Sequence, residues 1–174
     1  MNKVIRAVEQ ASSPDELLAD VSFAIDSARF AHAVGGLVDG RRFARYLLLK
    51  LDYFYNDHAH CMVFETLSVE HILPQNPEGP SQWRLDFSDE QATEWTHKLG
   101  NLVLITRSKN ASQGRLDYSD KKRKYFEKSI NTCPNSLRVL QNEAWTPMEL
   151  EANHKAVLDR LHKHYGIPSV NGAP

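Results

Sequence analysis

The chain has 174 residues, 41% of them hydrophobic and 25% charged, with a formal net charge of −1. That length suits one domain, or one domain with an appendage, and buries a core without staples, while the near-zero charge alone argues against a generic nucleic-acid binder. Two cysteines, Cys61 and Cys133, in no CxxC pair, exclude a four-cysteine zinc site and lend no support to a disulfide framework. No apolar run approaches the roughly 18 residues of a membrane helix, and Met1-Asn2-Lys3-Val4-Ile5-Arg6 lacks a signal-peptide core, so a reducing, cytoplasmic setting is expected.

Ser13-Pro14-Asp15-Glu16 is a capping box with proline at the first helical position, and predicts a helix to about Ala33, before Gly35-Gly36. Asp39-Gly40 opens a second helix through about Phe54, with Phe43, Tyr46, Leu47, Leu51 and Phe54 on one apolar face. From Val63 to Leu73 the chain is apolar and β-branched enough for a strand, which Pro74 ends. Pro77, Gly79 and Pro80 mark a loop. Ser88-Asp89-Glu90-Gln91 caps a short helix to about Lys98, and Gly100 stops it. Residues 101–106 form a second strand, and a basic helix covers about Ser119 to Ile130. Thr146-Pro147-Met148-Glu149 starts a terminal helix with Leu150, Val157, Leu158, Leu161 and Tyr165 on one face. Gly166 stops it, and Pro168 to Pro174 reads as a frayed tail. The predicted organisation is a helical lead-in over 1–60, a main domain with its C-terminal helix over 61–167, and a tail over 168–174.

Chemistry concentrates in three places. Val69-Glu70-His71-Ile72-Leu73-Pro74-Gln75 sets a histidine beside a carboxylate at a strand end. Leu99-Gly100-Asn101-Leu102 and Ser108-Lys109-Asn110 each add an asparagine. That order supplies what a one-metal nuclease site needs: a base for water, a scaffold for the base, and oxygen ligands for a hard cation.

In these motifs the chain resembles the HNH nucleases with a ββα-metal (His-Me finger) fold, and more closely the C-terminal domain of the GmrSD-type restriction endonucleases. The resemblance runs from about Thr66 to Tyr165 and includes Lys121, Ser129 and Trp145-Thr146. It implies an α+β, mostly helical protein whose ββα-metal core is flanked by helices on both sides. It further implies metal-dependent hydrolysis of DNA phosphodiesters, in a bacterial restriction or anti-phage system. His71 is then the general base, because a neutral imidazole takes a proton from water near neutral pH. Glu70 and Asn110 are the expected ligands of one Mg²⁺ or Mn²⁺, and Asn101 is the residue that holds the loop or orients the imidazole. Adjacent strand residues point to opposite faces, so Glu70 joins His71 only where the strand ends, twists or bulges. Helices 14–56 resemble the lead-in that joins this domain to a ParB-like nucleotidase half, the expected partner besides DNA. Asn153-His154 stand where related domains usually carry arginine, and Tyr118 where phenylalanine is common.

Residues 107–128 hold eight basic and three acidic side chains, a local +5, leaving 13 basic against 19 acidic elsewhere. Arg107, Lys109, Arg115, Lys121, Lys122 and Lys124 are the expected phosphate contacts, which give affinity without base specificity. Asp57-His58-Ala59-His60-Cys61 is too tightly spaced for the usual zinc patterns and reads as a polar loop. His97 and His154 read as surface or helix-face residues. Trp83, Trp95 and Trp145 read as packing anchors. The rival function is an HNH fold without catalysis, kept as a DNA-binding or protein-interaction module.

Overall fold

The computed structural model describes residues 2–56, 66–107, 114–126 and 133–168. Helices dominate, and one two-stranded antiparallel sheet lies among them. The Asp57–Cys61 run, Lys109, Asn110 and Ser129 lie outside the described residues.

The lead-in is more broken than its periodicity predicts. Helix α1 (Lys3–Gln10), absent from the sequence expectation, begins where Asn2 accepts the Val4 N–H. The single helix expected over 14–33 divides into α2 (Pro14–Ala19), a 3₁₀ turn at Val21–Phe23 and α3 (Ser27–Gly35). Two aspartates explain the breaks. Asp20 accepts the Ser22 N–H at 2.7 Å and Asp26 the Arg29 N–H at 2.9 Å, so each restarts a turn at the cost of continuing the previous one.

Helix α4 (Ala44–Tyr55) starts later than expected. Gly40 adopts a left-handed φ of 73°, and residues 38–43 turn before the helix begins. Its buried stripe is Ala44, Leu47, Leu48, Leu51 and Asp52. Phe43 and Tyr46, expected in the core, are exposed.

Strand β1 (Leu67–His71) pairs with β2 (Leu102–Thr106) in a register that sets His71 opposite Leu102 and Glu70 opposite Val103. Period-two alternation splits the core. Leu67, Leu102 and Leu104 join Val34, Leu47, Leu48, Leu51, Val157 and Leu161 on one face. Val103 and Ile105 join Ile72, Leu73, Trp83, Tyr125, Val139 and Trp145 on the other. Both faces are covered, which is why β2 reads as a continuous apolar run.

Between the strands lie α5 (Trp83–Asp86) and α6 (Asp89–Trp95), the latter with the predicted Ser88/Gln91 capping box, then a 3₁₀ turn at Leu99–Asn101. Helices α7 (Tyr118–Phe126) and α8 (Pro134–Leu140) follow β2. The Tyr118 hydroxyl donates to the carbonyls of Val139 and Asn142, so it ties α7 to the end of α8, which a phenylalanine there would not do. The terminal helix α9 (Pro147–Tyr165) has the expected Thr146/Glu149 capping box and ends at Gly166 with φ 63°. Trp83 and Trp145 are core anchors as expected, and Trp95 packs at the core's edge. Among the described residues no helix is long and apolar enough to cross a membrane.

Candidate functional site

The site is assembled where the lead-in meets the end of β1. Leu37 and Lys98 form an isolated antiparallel bridge, and the Val38 N–H donates to the His97 carbonyl at 2.9 Å. The 36–40 turn is thereby sewn to the segment before β2. His71 lies on the same face of the sheet as that turn, because its parity matches Leu67 and Val69.

The outcome is a shared carboxylate. Asp39 Oδ2 lies 3.3 Å from His71 Nε2 and 3.1 Å from His97 Nδ1. The two imidazole rings meet edge to face, with centroids 5.4 Å apart. The Gln75 amide nitrogen approaches His71 at 3.2 Å from Nε2. Burial holds the His71 pKa below its usual value; Asp39 opposes that shift, while His97 and Lys121 add to it. The net shift favours the neutral imidazole. The ligand atoms of Asp39, His71 and His97 all lie within 4.8 Å of one another, so these three side chains could hold a metal ion.

Asn101 is wholly buried beneath the site. Its Oδ1 accepts the Leu73 N–H at 2.8 Å, and its Nδ2 donates to the Leu73 and Thr96 carbonyls, each at 2.9 Å. Its backbone carbonyl accepts the Ile72 N–H at 3.0 Å. One side chain thus fixes the exit of β1, directly after His71. The turn carrying Asn101 is held in its own right by α9. Gly100 N–H donates to His154 Nδ1 at 3.1 Å, and Asn153 Nδ2 donates to the Gly100 carbonyl at 2.6 Å. The approach is so close that a Cβ on Gly100 would sit 2.5 Å from the His154 Cα. His154 is buried, not a surface residue, and burial lowers its pKa to about 4.

Glu70 and His71 are not brought together. Glu70 projects from the opposite face of β1, where Lys121 Nζ donates to its carboxylate at 2.5 Å and to the His71 carbonyl at 2.6 Å. Burial pushes the Glu70 pKa up and the Lys121 pKa down, and the contact pulls each back towards its charged form. Lys121 is wholly buried, which corrects its expected role as a phosphate contact. Lys122 Nζ donates to the Asn142 carbonyl, Lys124 is half-buried, and Arg107 and Arg115 are exposed.

Asp39 and His97 escaped the sequence reading. Asp39-Gly40 carries an ordinary turn signal. His97 lies four residues before Asn101, and that proximity to a motif was its only flag.

The fold and site define a mostly helical protein with a two-stranded sheet that presents, at one strand end, a His–Asp–His cluster able in its spacing to hold a metal ion. A family model described as GmrSD restriction endonucleases, C-terminal domain, matches residues 26–160, and the chain belongs to that family. The match takes in α3 and α4 as well as the region of the three motifs. No curated protein and no solved structure matches the chain significantly. Family membership implies a restriction-related nuclease function, with DNA as the substrate.

Proposed function

We propose that this chain is a metal-dependent HNH endonuclease that hydrolyses DNA phosphodiesters, with the β1–β2 hairpin as its ββα-metal core. The observation that carries the reading is the carboxylate of Asp39 shared between His71 and His97 beside the Asn101 clamp. His71 serves as general base. The Asp39 carboxylate, 3.3 Å from Nε2, favours the tautomer protonated there, which makes Nδ1, 3.4 Å from the Gln75 amide nitrogen, the basic ring nitrogen. Asn101 is a positioning residue, acting through the backbone of Ile72 and Leu73.

Asp39 and His97 are the proposed metal-holding pair. One carboxylate and neighbouring imidazoles suit Mn²⁺ or another first-row transition ion better than Mg²⁺, which favours oxygen ligands throughout. Once bound, such a cation neutralises charge that builds on the phosphoryl group and leaving oxygen. Glu70 would have to leave Lys121 to act as a ligand. The setting we propose is cytoplasmic restriction or anti-phage defence, with a ParB-like nucleotidase domain as partner.

A second reading makes His71 a third ligand, favoured by the mutual proximity of all three ligand atoms. Calorimetric titration with Mn²⁺ separates the two. As a base, His71→Ala keeps metal affinity and loses cleavage. As a ligand, His71→Ala loses both. Asp39→Asn weakens Mn²⁺ binding in either case, and unchanged binding by that variant contradicts the metal assignment.

A further inference from the structure

The segment that leads into α4, together with the start of that helix, carries only basic charge beside the site. Residues 40–51 contain Arg41, Arg42, Arg45 and Lys50 and no acidic side chain. Arg41 lines a cleft of about 440 Å³ together with Leu37, Asp39, Gly40 and His97, so it shares walls with two members of the cluster. Arg42, the next residue, and Arg45, in the first turn of α4, are exposed. None of the three guanidinium groups makes an ion pair or side-chain hydrogen bond with another described residue. The rings of Phe43 and Tyr46, which neighbour them in sequence, are exposed, the Tyr46 hydroxyl being hydrogen-bonded to that of Tyr165. The rival basic run has lost much of its charge to the fold. Lys121 is buried against Glu70, Lys122 is tied to a carbonyl and Arg123 is paired with Asp120.

We infer that Arg41, Arg42 and Arg45 form the phosphate-binding face that delivers a nucleic-acid backbone to the cleft lined by Asp39 and His97, beside His71. The inference rests on the nuclease reading above. Guanidinium groups match phosphate oxygens in a forked geometry, and free ones need not break an existing pair to bind. Exposed rings between them add stacking or sugar contact without sequence readout. Asp39 needs such neighbours, because a carboxylate at the cleft would otherwise repel the phosphodiester. The lead-in is then part of the substrate-binding surface and not only a scaffold.

The test is fluorescence anisotropy of the 174-residue chain with a labelled DNA duplex in EDTA, titrated between 50 and 200 mM salt. Each phosphate contact contributes about −0.9 to the slope of log affinity against log salt. The triple variant Arg41→Ala/Arg42→Ala/Arg45→Ala is expected to bind at least tenfold more weakly at the lower salt. Its slope should be shallower by about 2.7 if all three groups meet phosphates. The triple Arg→Lys variant keeps most of the wild-type slope, because the charge survives. Circular dichroism checks that each variant is folded. An unchanged affinity and slope in the alanine triple overturns the inference. So does a lysine triple as weak as the alanine triple, a larger loss from Arg107→Ala/Arg115→Ala, or no DNA binding by the wild type. Wild type that binds through these arginines yet never cuts removes the nuclease reading alone. Wild type that cuts while the alanine triple binds unchanged removes this inference alone.

Discussion

Asn101 holds both backbone polar groups of Leu73, accepting its N–H at 2.8 Å and donating to its carbonyl at 2.9 Å. A buried amide clamped to a strand exit this way makes the position of His71 a consequence of hydrogen bonding. Asn101→Ala leaves the Leu73 N–H and two carbonyls without partners in a dry interior. We expect a loss of roughly 3 kcal/mol or more, read by urea denaturation, since each unsatisfied group costs about 1–3 kcal/mol. Asn101→Asp, which keeps one acceptor, should be destabilised as well, because a carboxylate cannot donate to the Leu73 and Thr96 carbonyls. A variant as stable as wild type contradicts the clamp.

Gly100 is needed for close approach. Any side chain there meets the backbone of α9 at His154, not a movable side-chain end. Gly100→Ala should lower stability by about 1–3 kcal/mol and shift the turn that carries Asn101. Thermal unfolding and the nuclease assay should therefore fall together. An alanine variant with wild-type Tm removes the proposed packing constraint.

The Glu70–Lys121 pair predicts strong coupling. Lys121→Met strands a carboxylate in the core and should cost about 3–5 kcal/mol. Adding Glu70→Leu should restore part of that loss, so the double variant is more stable than the sum of the singles predicts. Additive effects in a double-mutant cycle show that the two groups do not share a buried interaction.

Asp52 gives the pH dependence. It is wholly buried beside the Cys133 thiol, and Asn135 N–H donates to its Oδ1 at 2.9 Å. Burial raises its pKa from 3.8 to about 7 in the folded state. Between those values the native state binds a proton that the unfolded chain has released. Its contribution to stability is therefore complete below about pH 4 and falls as pH rises to about 7, by on the order of 4 kcal/mol. Asp52→Asn should flatten this part of the stability curve. A difference between wild type and variant that does not change with pH contradicts the assignment.

How much of this was legible in the sequence depends on how far apart the partners lie. His71 and Asn101 stand in recognisable local motifs, and the strands and caps around them follow from periodicity and capping chemistry. Asp39 is 32 residues from His71, and the bridge between Leu37 and Lys98, with the Val38 and Asp39 N–H groups donating to the His97 carbonyl, carries it to the site. Lys121 looked like one residue of a solvated run. Its burial was nonetheless readable from Tyr118 and Tyr125, which lie three residues before and four after it and form one buried stripe of α7. The break between α2 and α3 was hidden because Asp20 and Asp26 act as local caps inside an otherwise helical pattern. The apolar face of α4 was misjudged by including Phe43 and Tyr46, whose rings the fold leaves outside.

The most direct test of the central claim is conversion of supercoiled plasmid to nicked or linear DNA, by wild type and by His71→Ala, in Mn²⁺ and after chelation. The account predicts cleavage by wild type with Mn²⁺, its loss on chelation and its return when the ion is restored. It also predicts a fall of at least a hundredfold for His71→Ala, the usual contribution of a general base. Intact plasmid with wild type in both Mn²⁺ and Mg²⁺, or cleavage by His71→Ala at the wild-type rate, contradicts it.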